Sequence, residues 1–265
     1  MGLEQFYLIC TYVIAGLVGL CVGSFLNVVI YRLPNGMKMS KPASHCTTCD
    51  YTLKWYDNIP VVSYIMLGGK CRKCKEPISP RYISVEILNA ALWLLSVALF
   101  WEKNPVYAVI SAIAMSALIC IFFIDLEHLL IYNRFLIILG VLGVVAIFFD
   151  KYTRWYDHLI GAAAFGAAFL LIYYGAIWVL KREGLGFGDV KFAFVAGLLL
   201  GWQRMLFAML IASVSASIVL LILRRVRGDE QGKEYPFGPF ISVGIAVSLF
   251  VGAPIITWYL GLIGF

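Results

Sequence analysis

The chain has 265 residues, 62% of them hydrophobic and 14% charged, with a mean hydropathy of +0.89 and a formal net charge of +6. A soluble domain carries about 25% charged residues, so this composition excludes a soluble globular protein. The apolar runs are continuous rather than alternating, which also excludes a transmembrane β-barrel.

In chain order the runs predict an all-α polytopic membrane protein with about eight transmembrane helices. They cover residues 6–31, 83–101, 105–124, 131–149, 157–180, 190–201, 203–223 and 239–263. The first run is too long for a signal peptide and has no basic leading region, so it is read as a retained helix. The sixth covers only about half a bilayer at 1.5 Å per residue. It is expected to begin inside the membrane after a re-entrant turn at 184–189, where irregular backbone must line a cavity or packed protein.

The expected organisation is a first transmembrane helix (1–31), a small cytoplasmic loop domain (32–82) and a polytopic membrane domain (83–265). With residues 32–82 on one side and the helices alternating, 17 Lys and Arg fall on that side and 4 on the other. The positive-inside rule then puts the loop in the cytoplasm and both termini outside. Topology accounts for the positive charge, which is therefore no signal for nucleic acid.

The loop domain is too small to bury a large core. It carries Cys46-Thr47-Thr48-Cys49 and Cys71-Arg72-Lys73-Cys74, two C-x-x-C knuckles separated by 21 residues, close to the spacing of a zinc ribbon. Four thiolates hold Zn²⁺ tetrahedrally, and the metal replaces a missing core. A reducing cytoplasm argues against disulfides. A redox pair or unliganded thiols are the alternatives. His45 is read as a bystander, and Cys10, Cys21 and Cys120 as small buried hydrophobes.

Two carboxylates stand where an apolar chain should least want them. Asp125 ends the run 106–124, and Asp189 closes the turn Gly184-Leu185-Gly186-Phe187-Gly188-Asp189. A charged residue within a bilayer costs roughly 2.5–3.5 kcal/mol on insertion scales. The topology places both at the cytoplasmic ends of their helices, which suits a pair performing acid–base hydrolysis. Glycine at 186 and 188 permits unusual backbone angles or close approach, with a plain tight turn as the alternative. His128 follows Asp125 at i+3 and shares its helical face. Lys191 is read as a topological anchor, Glu86 as a structural acid with Arg81 as its partner, and Trp101, Trp155 and Trp202 as interface anchors.

Six motifs in order carry a resemblance. They are Gly23-Ser24-Phe25-Leu26-Asn27 running to Tyr31-Arg32-Leu33-Pro34; the knuckles, with Trp55-Tyr56-Asp57-Asn58-Ile59-Pro60 between them; Arg81-Tyr82 with Glu86; Asp125-Leu126-Glu127-His128; Gly186-Phe187-Gly188-Asp189-Val190-Lys191; and Pro236-Phe237-Gly238-Pro239-Phe240. Nearly end to end, the chain resembles the type IV prepilin peptidases, bacterial inner-membrane aspartic proteases of the G-x-G-D type. Two departures are local: Tyr132 stands where the family usually has proline, and Thr47 follows the first cysteine where proline is common.

The resemblance implies a bifunctional enzyme. Asp125 and Asp189 would form the catalytic dyad, with Gly186 and Gly188 in the active-site turn, and 83–265 would be the aspartic peptidase membrane domain. The enzyme would cut the leader of prepilins or pseudopilins of type IV pili, protein secretion or competence systems after a glycine, at the cytoplasmic face. Its partners would be the substrate helix in the membrane and the lipid bilayer, with no nucleic acid. The long cysteine-bearing loop implies N-methylation of the new N-terminus with S-adenosylmethionine, and Cys46, Cys49, Cys71 and Cys74 would hold structural zinc. No Rossmann-type glycine fingerprint marks a cofactor site. The methyl donor therefore has no assigned residues, and the stretch Gly23–Pro34 with the loop is its expected location. Pro236, Gly238 and Pro239 are expected to shape a wall near the active site. The competing readings are a presenilin-like G-x-G-D protease, a proton-coupled carrier using the two aspartates as relay sites, and a structural assembly protein.

Overall fold

The computed structural model describes residues 2–40, 43–181, 184–227 and 235–262. The expected basic anchors Arg182 and Lys233 lie outside them. Of the described residues 77% are helical, and none lies in a strand. In chain order the helices are α1 (Leu3–Arg32), α2 (Val62–Met66), α3 (Pro80–Phe100), α4 (Pro105–His128), α5 (Asn133–Phe149), α6 (Trp155–Leu180), α7 (Phe187–Leu200), α8 (Trp202–Arg227), α9 (Gly238–Val247) and α10 (Ala253–Leu262). A 3-10 turn at Trp55–Asn58 and a π turn at Ser248–Gly252 complete the list.

Among the described residues, six spans are long and apolar enough to cross a membrane: α1, α3, α4, α6, α8 and the combined run Gly238–Leu262. Of the eight expected segments, the other two are shorter. α5 has 17 residues and α7 has 14. The chain forms two compact units, residues 1–120 and 121–265.

In the first unit, α1 and α3 lie in close contact because α1 has no side chain at two levels. A Cβ on Gly19 would fall 2.8 Å from the Ala90 Cα, and one on Gly23 would fall 2.8 Å from the Glu86 Cα. Small residues let helix backbones approach where no hydrophobic effect separates helix from lipid. The same interface carries a buried polar chain. Asn89 Nδ2 donates to the Gly19 carbonyl (2.7 Å), Ser116 Oγ donates to Asn89 Oδ1 (2.8 Å), and Trp93 Nε1 donates to Ser116 Oγ (2.9 Å). Helix starts follow the usual capping chemistry: Ser79 Oγ accepts from the Arg81 amide ahead of Pro80, and Asn104 Oδ1 accepts from the Tyr107 amide ahead of Pro105.

The loop folds as two knuckles, each closed by one bridge, His45 with Thr52 and Lys70 with Pro77. Asp57 joins them: its buried carboxylate accepts from Arg72 Nε (2.8 Å), the Lys54 amide (3.1 Å) and Tyr51 Oη (3.3 Å). Burial opposes the charge on Asp57, but the Arg72 guanidinium and the Lys54 amide outweigh it and hold the carboxyl below its ordinary range.

In the second unit, α6 and α7 meet at a glycine pair. A Cβ on Gly161 would fall 2.6 Å from the Gly197 carbonyl oxygen, and Gly197 is as tightly placed against Gly161. Gly201 alone joins α7 to α8, at φ +80°, a conformation glycine adopts without penalty. A buried polar cluster locks this corner. Arg204 pairs with Asp150, and Arg204 Nε also donates to the Leu200 carbonyl (2.8 Å). His158 Nδ1 meets the Leu198 carbonyl at 2.9 Å, and Ser248 Oγ donates to the Arg204 carbonyl (2.7 Å). The π turn precedes Pro254 and absorbs the hydrogen bond that proline cannot make.

The glycine contacts make an asymmetric prediction. Gly197→Ala forces α6 and α7 apart and lowers stability by about 1–3 kcal/mol. Gly175→Ala, on α6 with nothing within 4 Å of its Cβ position, leaves stability unchanged or slightly raised. Thermal unfolding in detergent reads both.

Candidate active site and cysteine cluster

Asp125 lies in the last turn of α4. That helix stops because Leu129 turns left-handed (φ +56°) and returns its amide to the Asp125 carbonyl. Residues 129–132 then run irregularly into α5. Tyr132 caps α5 at φ −79°, within the range proline would impose. The backbone thus takes the expected path without proline.

Asp189 sits in the first turn of α7, which starts at Phe187 after Gly186. The acid is therefore inside the helix, at its positive end, rather than closing the turn before it. Neither Gly186 nor Gly188 has a positive φ, so unusual backbone angles do not explain them. Space does. A Cβ at Gly186 would meet Asp189 Oδ2 at 3.2 Å, and one at Gly188 would meet the Ile131 Cβ at 3.1 Å.

The two aspartates are brought together. Both are buried, at 5% and 9% exposure, and the glycines beside them, Gly238 and Gly188, pack on the same side chain. Ile131 wedges between their supports, touching both the Gly188 position and, at 3.2 Å, the Gly238 position. The two carboxylates differ in their partners. Asp125 Oδ2 accepts a hydrogen bond from the Gly238 amide (2.9 Å) at the first residue of α9. Asp189 Oδ1 is buried with no partner among the described residues. A Cβ on Gly238 would stand 2.6 Å from Asp125 Oδ2, so a side chain there would displace that carboxylate. The expected wall of Pro236, Gly238 and Pro239 thus contributes a main-chain donor aimed at an aspartate, a contact spanning 113 positions in sequence that no local pattern announces.

The neighbouring polar residues are placed elsewhere. Lys191 Nζ donates to Asn133 Oδ1 (3.2 Å) and lies over the Phe187 ring. His128 faces Glu127 at 3.9 Å. Glu86, in the first unit, accepts from the Val61 amide (2.8 Å), a partner not expected from its spacing. Sequence reading also missed Asp150, His158 and Arg204, which show no periodicity or motif.

Cys46, Cys49, Cys71 and Cys74 converge, with all four Sγ atoms within 4.8 Å of one another. Cys46 and Cys74 are 3.7 Å apart and Cys49 and Cys71 4.0 Å. Tetrahedral ligation at about 2.3 Å per Zn–S bond requires sulfurs about 3.8 Å apart, so the set can hold a metal ion. The backbone amides of Thr48 and Cys49 pull the Cys46 thiol down to about 6. The Glu76 amide favours the Cys74 thiolate, but desolvation and the neighbouring thiols push that thiol up to about 12. His45 Nδ1 is turned to the Ala43 carbonyl at 3.1 Å and does not join the cluster. In the stretch Gly23–Pro34, Asn27 donates to the Tyr82 carbonyl and Arg32 to the Lys38 and Met39 carbonyls. These groups hold α1 to its neighbours.

Residues 17–100 match the family model described as bacterial peptidase A24 N-terminal domain, and residues 112–221 match that of the type IV leader peptidase family. The chain is similar to the prepilin leader peptidase/N-methyltransferase of Pseudomonas aeruginosa, with 32% identity over 98% of this chain and 95% of the relative. Relatives with the same name are found in Aeromonas hydrophila, 31% identical over 92% of each chain, and in Myxococcus xanthus, 35% identical over 83% of this chain and 67% of the relative. No solved structure gives a significant match. With two family models on consecutive segments and a relative this similar along nearly its whole length, the chain belongs to the type IV leader peptidase family.

Proposed function

We propose that this protein is a bifunctional prepilin peptidase and N-methyltransferase of the bacterial inner membrane. It cuts the leader from prepilins or pseudopilins after a glycine and methylates the amine so released. The observation that carries the reading is a pair of buried carboxylates in one unit, Asp125 and Asp189, whose supporting glycines Gly238 and Gly188 both pack on Ile131 and whose partners are unequal.

In this reading the inequality sets the roles. Like charges this close do not both ionise cheaply, so the pair shares one proton. The Gly238 amide stabilises Asp125 as the carboxylate, and the proton resides on Asp189. Asp125 takes a proton from a water molecule, whose oxygen attacks the scissile carbonyl. Asp189 gives its proton to that carbonyl oxygen. Collapse of the tetrahedral intermediate breaks the C–N bond, the amine leaves with the proton held by Asp125, and Asp189 recovers its own from the hydroxyl. Gly186 and Gly188 let the turn pack closely on Asp189 and Ile131, and the substrate strand lies alongside that turn.

The four cysteines hold zinc, which organises residues 32–82 and takes no part in hydrolysis. S-adenosylmethionine supplies the methyl group, and no residue is assigned to hold it. The charge distribution puts the loop and both aspartates at the cytoplasmic face. Residues 1–31, 32–82 and 83–265 then act as a first transmembrane helix, the zinc-bearing loop domain and the peptidase membrane domain.

Purified protein incubated with a prepilin and S-adenosylmethionine should yield a mature chain beginning after the leader glycine, one methyl group heavier by mass spectrometry. Asp125→Asn and Asp189→Asn should each reduce cleavage by about 10³-fold or more. Cleavage surviving in either variant breaks the dyad assignment, and proton flux without cleavage supports a carrier. For the metal, wild-type protein should carry stoichiometric zinc by elemental analysis. Cys71→Ser should lose it and exchange amide hydrogens faster across residues 43–79, with α5 to α10 unaffected.

A further inference from the structure

Between the two knuckles runs Ile59-Pro60-Val61-Val62-Ser63-Tyr64-Ile65-Met66-Leu67, nine residues without a charge inside a loop with nine Lys and Arg against three Asp and Glu. A water-facing ribbon would bury such a segment against itself. Here α2 buries none of its residues. Met66 is 80% exposed, Ile65 67% and Val62 48%, and Trp55 just upstream is 79% exposed.

The location of the segment supplies the reason. Val61 closes an apolar groove whose walls are Gly16, Leu17 and Leu20 of α1 and Ile87, Ala91 and Leu94 of α3. Its amide is held by Glu86, a buried carboxylate about 9 Å along α3 from Pro80 at 1.5 Å per residue. Val61 itself adopts φ +62° and ψ −48°, an unfavourable conformation for a β-branched residue. The chain accepts this strain to bring the segment back alongside two membrane helices. Val61, immediately before α2, thereby shares a groove with Val13, Leu17 and Ile87, each half exposed on helices apolar enough to span a bilayer.

We propose that residues 59–67 are an in-plane membrane anchor, with lipid as the partner of this surface. Ile59, Val62, Ile65 and Met66 enter the boundary between headgroups and acyl chains, and Trp55 sits at the interface where aromatic rings are favoured. Lys54, Lys70 and Lys73 face anionic headgroups. Lipid is the occupant because it already surrounds α1 and α3, and because the basic residues flanking the segment complement an anionic leaflet. The loop domain is then a half-submerged module, with the cysteine cluster held at a fixed height above the bilayer. This inference does not depend on the peptidase reading.

The test places the photoreactive residue p-benzoylphenylalanine singly at Ile65, Met66 and Lys75 of the full-length protein. Each variant is reconstituted in nanodiscs of phosphatidylethanolamine and phosphatidylglycerol, irradiated, and analysed for adducts by mass spectrometry. Lipid adducts at positions 65 and 66, several-fold above those at 75, are expected. Equal labelling at all three positions, cross-links between two copies of the chain, or adducts that form only when a prepilin is added would each overturn the proposal.

Discussion

A carboxyl group buried in an apolar surround needs a donor, and at Asp125 that donor is the main-chain amide of Gly238. Much of the second unit can be read as the means of making this bond possible. The donor comes from the first residue of α9, where the helix dipole adds to it. The approach is close enough that a side chain at Gly238 would displace the Asp125 carboxylate. The same bond makes the two aspartates unequal, and unequal partners are what separate an acid from a base in a pair that is chemically identical.

Asp189 is placed by different means. It rides on a helix of 14 residues, too short to find its depth by matching the bilayer, so packing has to set its position. The Gly161–Gly197 contact and the wedge at Ile131 press that helix against its neighbours. At its far end, Gly201 and the cluster of Asp150, Arg204, His158 and Ser248 fix the corner. A buried ion pair adds little net stability once desolvation is counted. Its value here is geometric, because it satisfies carbonyls at the end of α7 and holds them in one arrangement.

The sequence reveals the parts more readily than their contacts. Apolar runs locate the helices to within a few residues, as with 83–101 against Pro80–Phe100, because membrane helices must satisfy their backbone locally. The knuckle spacing anticipates the convergence of Cys46, Cys49, Cys71 and Cys74, because two short turns around one ion leave few other arrangements. What is hidden depends on partners far away in the chain. Glu86 could not be matched to the Val61 amide, nor Lys191 to Asn133, and the glycines at 186 and 188 left backbone freedom and close approach both open where the structure uses close approach. Periodicity reports which face is apolar, but it does not report which backbone amide that face will meet.

The most direct measurement replaces the Gly238 amide by an ester, incorporating glycolic acid at position 238, which removes the hydrogen-bond donor without adding an atom to a crowded site. The dependence of kcat/KM on pH is then compared with that of the unmodified enzyme. If the Gly238 amide stabilises an ionised Asp125 acting as base, the acidic limb of the profile moves to higher pH while cleavage still requires both aspartates. An acidic limb that stays in place would contradict the assignment and with it the account of how the pair is made unequal.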